Sequence, residues 1–141
     1  MRVAIDTNVL LSGLFFRGNE RKVLQMALHQ EIALVIPENV VIETLNNIRK
    51  KFPEHPELDG AKDVLRYVLG QSEIIEIMKA KRFFEEAKSN IRHENDAPIL
   101  AACIYAKPDC LITGDNDFFN LKKPVSFNIL TARQFLELQN R

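Results

Sequence analysis

Five short apolar runs punctuate this 141-residue chain: RVAI (2–5), IALVIP (32–37), EIIEI (73–77), CLIT (110–113) and FNIL (127–130). Each has the length of a buried strand, and all but EIIEI, which has the look of an edge strand, are almost wholly apolar. The segments between them carry apolar residues at helical spacing, such as Val23, Leu24, Ala27 and Leu28, or Val64, Leu65, Val68 and Leu69. Strands that alternate with helices predict an α/β domain with a mostly parallel sheet.

The punctuation supports this division. Asn19 is placed to cap one helix and Thr131 another. Pro37 is expected at the first position of a helix over 37–52, where a missing N–H costs nothing. Its apolar stripe is read as Val41, Leu45, Ile48 and Phe52, which sets Glu43 nearly opposite the buried face. Gly13 weakens the segment after RVAI, and the two prolines of FPEHPELDG make a loop. KAKRFFEEAKS reads as one charged helix, with Phe83, Phe84 and Ala87 available for packing. ENDAPILAACIYAK reads as another, with Ile99, Ala102, Cys103 and Ala106 on one side and Pro98 in its first turn.

A chain of this length is expected to form a single domain, residues 1–141, able to bury roughly 68–70% of its unfolded surface without staples. Nineteen basic residues balance nineteen acidic ones, so net charge alone points to neither nucleic acid nor a membrane surface. Cys103 and Cys110 have no zinc-like spacing and read as buried free thiols, which fits a reducing compartment. No signal peptide is recognised in MRVAIDTNVL, and no run approaches the roughly 20 apolar residues of a membrane span. A cytoplasmic protein without a membrane partner is expected.

The chemistry lies in the carboxylates. RVAI ends at Asp6, and CLIT is followed by Asp115 and Asp117. In parallel α/β sheets ligands bind at the carboxyl ends of strands. Asp96 opens the ENDAPILAAC helix, where a plain capping role would explain it. Glu43 projects from a helix, and Glu94 lies near Asp96. Each has an ordinary explanation alone. Gathered by the fold, they would repel one another and call for a cation. Oxygen ligands suit Mg²⁺ or Mn²⁺ rather than Zn²⁺, and such ions serve phosphoryl chemistry.

Four blocks, AIDTNVLLSG, PENVVIETL, ENDAPILAA and LITGDNDFF, occur in the order found in the PIN-domain nucleases, which the chain resembles over nearly its whole length. The start DTNVLLSGL and the length are most similar to the stand-alone prokaryotic members, many of them toxins of toxin–antitoxin pairs. The resemblance implies a three-layer α/β/α sandwich and metal-dependent cleavage of RNA phosphodiesters that leaves a 5′-phosphate. By position, Asp6, Glu43, Asp96 and Asp115 match the acidic quartet as catalytic residues and metal ligands. Asp117 supports a second ion or the turn. Asn8 and Thr113 match the polar residues beside the site. An RNA substrate, single-stranded, an antitoxin protein and a homodimer are the implied partners.

A nuclease must also hold its substrate. Arg17, Arg21 and Lys22 follow the Asp6 strand and first helix and are the candidates for RNA contact. Phe118 and Phe119 read as core or interface rather than base-stacking residues, and His93 is the histidine nearest the acidic set. Two other readings stand beside this one: a PIN-like module that binds RNA or protein without cleaving, and another Mg²⁺-dependent phosphohydrolase. Thr7 and Asn8 after Asp6 argue against a haloacid-dehalogenase-like phosphatase, which needs a second Asp two residues on.

Overall fold

The computed structural model describes residues 1–140. Strand β1 (Arg2–Ile5) leads into helices α1 (Thr7–Phe15) and α2 (Asn19–Leu28). Then come β2 (Ala33–Pro37), α3 (Glu38–Lys51), α4 (Leu58–Gln71) and β3 (Glu73–Ile75). The next stretch holds α5 (Ile77–Ala80), a 3₁₀ turn (Lys81–Phe83), α6 (Phe84–Asn90), a second 3₁₀ turn (Glu94–Asp96) and α7 (Ala97–Ala106). The chain closes with β4 (Cys110–Ile112), α8 (Asn116–Phe119), β5 (Asn128–Leu130) and α9 (Ala132–Gln139).

The five strands lie in the order β3-β2-β1-β4-β5, and every neighbouring pair is parallel. The chain builds outward from β1 through β2 to β3, then crosses back to add β4 and β5 on the other side. The direction of winding therefore reverses between β1 and β4, where Ile5 sits in register with Ile112. Such a switch point opens a crevice at the carboxyl ends of its two strands. Helices cover both faces: α1 packs against α2, α3 and α4, whereas α7 packs against α5, α6 and β2. This is the α/β/α sandwich expected from the sequence. Cys103 and Cys110 are both free and buried. No helix among the described residues is long and apolar enough to cross a membrane.

Several local expectations are corrected. Pro37 is the last residue of β2 and precedes α3, which starts at Glu38. Asn19 is the first residue of α2, and Gly18 occupies the cap position. The KAKRFFEEAKS segment is broken by the 3₁₀ turn, and α7 is buried almost all round rather than along one stripe. In α3 the buried side chains are Val40, Thr44 and Ile48. Ile42 and Leu45 are exposed instead, and Phe52 ends the helix with its ring stacked on Phe15 at 4.2 Å. Glu43 therefore borders the buried face of α3 and does not oppose it. Thr131 caps α9 as expected and shares a capping box with Gln134.

Gly13 has a packing reason. A Cβ there would lie 2.5 Å from Leu24 Cδ1 and 3.0 Å from the carbonyl oxygen of Glu20. The glycine lets α2 close onto α1, and α1 carries part of the site. Gly13→Ala is expected to destabilise the protein by about 1–3 kcal/mol through overpacking, read as a lower urea midpoint with an unchanged slope.

Candidate active site

The site begins with Asp6, the residue after β1. Its carboxylate caps α1 by accepting the Val9 N–H at 2.9 Å. Its other oxygen accepts a short hydrogen bond from the Thr113 hydroxyl, one residue beyond β4. Thr113 is fully buried, and its hydroxyl oxygen also accepts the Asp115 N–H at 3.0 Å. Asp115 in turn accepts the Asp117 N–H at 2.9 Å and caps α8. Turn chemistry thus accounts for one oxygen of Asp115 and leaves the other for the crevice.

Asp96 approaches from the start of α7. Although it stands at the cap position, its side chain makes no capping hydrogen bond, so the plain capping role is not what this residue does. Instead Asp96, Asp115 and Asp117 each present a carboxylate oxygen, and these atoms lie within 4.8 Å of one another. His93 Nε2 stands 3.3 Å from Asp117 on the outer side. Glu43 reaches the same crevice from α3 and accepts a hydrogen bond from the Thr7 hydroxyl at 2.8 Å. Glu94 turns away to pair with Lys88.

Electrostatics agree with the geometry. Burial pushes the Asp6 carboxyl above its ordinary range, opposed by the hydrogen bonds from Thr113 and Val9 and reinforced by Asp115 and Glu43. The Asp96 carboxyl is pushed from 3.8 up to about 6, first by burial and then by the charges of Asp115 and Asp117. Clustered carboxylates that raise one another's pKa values are what a hard divalent cation relieves. An oxygen-only donor set is chemically suited to such an ion.

The other sequence candidates fall into place around this centre. Asn8 is exposed in the first turn of α1, beside Asp6. The Arg21 guanidinium is taken up by the carbonyls of Gly13 and Leu14 and by Glu57. Arg17 lies beyond the far end of α1 from Asp6, and Lys22 is exposed on α2. Phe118 is core, whereas Phe119 is partly exposed. Sequence reasoning passed over Thr7, which orients Glu43. A hydroxyl between a strand-ending Asp and a helix was the available signal.

Asp96 ionises in the folded protein against a cost that the unfolded chain does not bear. Above pH 7 that cost is fully present. It is relieved as pH falls through about 6, and the gain levels off below the ordinary value of 3.8. In EDTA, Asp96→Asn is therefore expected to melt higher than the wild type at pH 8, with the gap narrowing by pH 5 and closing as the pH nears 3.8. Thermal melts across that range check it.

The PIN domain model matches residues 2–117. No curated protein matches the chain. Similar solved structures include VapBC2 from Rickettsia felis bound to a DNA fragment from its promoter, at 18% identity and a TM-score of 0.66, covering 92% of this chain and 97% of that one. PAE2754 from Pyrobaculum aerophilum is similar at 16% identity and a TM-score of 0.65, covering 100% and 91%. VapC20 from Mycobacterium tuberculosis, a toxin that cleaves the sarcin-ricin loop, is similar at 14% identity and 0.52, covering 83% and 92%. These likenesses are of fold. With the family model spanning all but the last part of the sequence, the chain belongs to the PIN domain family.

Proposed function

We propose that this protein is a divalent-metal-dependent ribonuclease that hydrolyses RNA phosphodiester bonds, and that it is the toxin of a toxin–antitoxin pair. One observation carries the reading. Asp96, Asp115 and Asp117 bring carboxylate oxygens within 4.8 Å of one another at the crevice where the sheet reverses its winding, and Asp6 lies close enough to Asp115 and Glu43 for their charges to act on it. Stability does not call for that convergence, since like charges held together oppose folding.

Mg²⁺ or Mn²⁺ is the fitting ion, which Asp96, Asp115 and Asp117 would hold, with Asp6 and Glu43 adding negative charge beside them. When bound, such an ion supplies activation of a water and stabilisation of the departing oxygen. The chain's own residues prepare the place. Thr113 fixes Asp6, Thr7 fixes Glu43, and His93 steadies Asp117 from outside. Asp96 or Asp115 orients the attacking water. The membership in the PIN family and the likeness to a toxin that cleaves the sarcin-ricin loop support RNA as substrate. The toxin role, and with it an antitoxin partner and action in the cytoplasm, rests on the similarity to stand-alone prokaryotic members. Exposed Ile77 and Met78, near half-buried Phe83 and Phe84, offer apolar surface for a second copy.

The test is cleavage of a mixed-sequence single-stranded RNA by purified protein with Mn²⁺, Mg²⁺ or EDTA. The wild type is expected to cleave only with metal, and Asp96→Asn to fall by about a hundredfold or more. Equal cleavage by both proteins would trace the activity to a contaminant. Binding to the native state also raises stability by about 2.7 kcal/mol at a hundred times Kd. Mn²⁺ is therefore expected to raise the melting temperature of the wild type and not that of Asp6→Asn. A shift without cleavage would favour the binding module.

A further inference from the structure

At the far end of α1 from Asp6 lies a group of aromatic rings that the acidic site does not use. Phe15 stacks on Phe52 at 4.2 Å and 6°, and both meet the His55 ring edge-on. Phe16 completes the group, 6.1 Å from Phe52 and 6.3 Å from His55, yet is 52% exposed. Arg17 follows it, and Arg49, Lys50 and Lys51 fill the last turn of α3 beside Phe52. All four cations are exposed, and none is in an ion pair among the described residues.

Cations in a last turn suit a helix dipole, and that alone would explain the α3 triplet. It does not explain an exposed phenylalanine laid against a ring stack. Nor does it explain how this end connects to the acidic crevice. Both ends of α1 meet α3, Thr7 through Glu43 within the helix and Phe15 through Phe52 at its C-cap. Nine helical residues span about 13 Å, a reach of a few nucleotides. Along that span Asn8 and Ser12 lie one turn apart on α1, whose C-cap Phe16 donates its backbone N–H to the Ser12 carbonyl, and Glu43, Asn47 and Lys51 recur at four-residue spacing on α3. Asn8, Ser12 and Asn47 are uncharged hydrogen-bonding side chains that retain solvent access. The seam therefore grades from carboxylates through neutral polar groups to cations and an open ring.

We infer that Phe16, backed by Phe52 and His55 and flanked by Arg17 and the Arg49–Lys51 turn, is a base-stacking platform. It holds single-stranded RNA a few nucleotides from the cleaved bond. Aromatic faces stack on any base, and cations beside them track the phosphates. Phe16 is a binding and positioning residue here, with no part in the chemistry. Glu54 and Glu57 rim the same end, and Glu57 is occupied by Arg21. The inference rests on the ribonuclease reading above.

The experiment compares two RNAs that share one cleavage junction: the shortest that the wild type cleaves, and one extended on both sides. kcat and KM are measured for the wild type, Phe16→Ala and Phe16→Trp. On the long RNA, Phe16→Ala is expected to raise KM about tenfold, the loss of one stacked base, with kcat nearly unchanged. Phe16→Trp is expected to restore it. On the short RNA all three proteins are expected to agree. An unchanged KM for Phe16→Ala on the long RNA overturns the platform and leaves this face to a protein partner. An equal loss on both RNAs, or a loss that Trp does not repair, overturns it too, as the mark of a disturbed fold. A wild type that cleaves no RNA overturns the ribonuclease reading itself.

Discussion

Two of the crevice's acidic groups, each following a different strand, depend on one buried hydroxyl. Thr113 stands where β4 ends, donates to Asp6 across the switch point and accepts from the backbone of Asp115. The parallel register that pairs Ile5 with Ile112 brings these groups side by side. Without that donor, Asp6 would keep only the Val9 N–H as a hydrogen-bond partner in a place from which water is almost excluded. An unsatisfied buried carboxylate is costly. One hydroxyl therefore ties the sheet's register to the position of two acidic groups.

The rest of the fold supports this arrangement at a distance. The apolar strands β1, β2 and β4 form a continuous core, with Val3, Ala4, Ile5, Val35, Ile36, Leu111 and Ile112 at 1% exposure or less. Burial on that scale offsets the repulsion of the carboxylates, because each fully buried aliphatic side chain contributes about 1.5–3 kcal/mol. The acidic side chains ride on short, rigid connections rather than long loops. Asp6 and Asp115 both cap the helices that follow them. Capping stabilises the helix and fixes the direction of the carboxylate with the same hydrogen bond.

How much of this could be read from residues alone varied with the type of signal. Strands ending in Asp announced themselves, since β-branched runs stop abruptly at Asp6 and Thr113. The order of the strands was not written locally. It is set by which edges pair after the chain crosses back from β3, and that depends on the packing of α5 to α7. The buried face of α3 was misread because Leu45 is apolar yet exposed, while Thr44 is polar yet buried. Hydrophobic periodicity follows residue type and cannot see a hydroxyl packed in a core. Asp96 was legible as a helix opener, but its failure to cap was not. Only the approach of Asp115 and Asp117 in space gives it another partner.

The two cysteines have a use that neither the site nor the ring stack suggests. Burial, helped by the charge of Asp6, pushes the Cys103 thiol on α7 up to about 12, and burial pushes Cys110 to about 11. Thiolates are the reactive form, so both are chemically silent while the molecule is closed. An alkylating reagent reaches them only when the packing around β4 and α7 comes apart. The wild-type chain thus carries its own unlabelled clock for opening. Its ticking slows when anything bound to the closed fold stabilises it against opening.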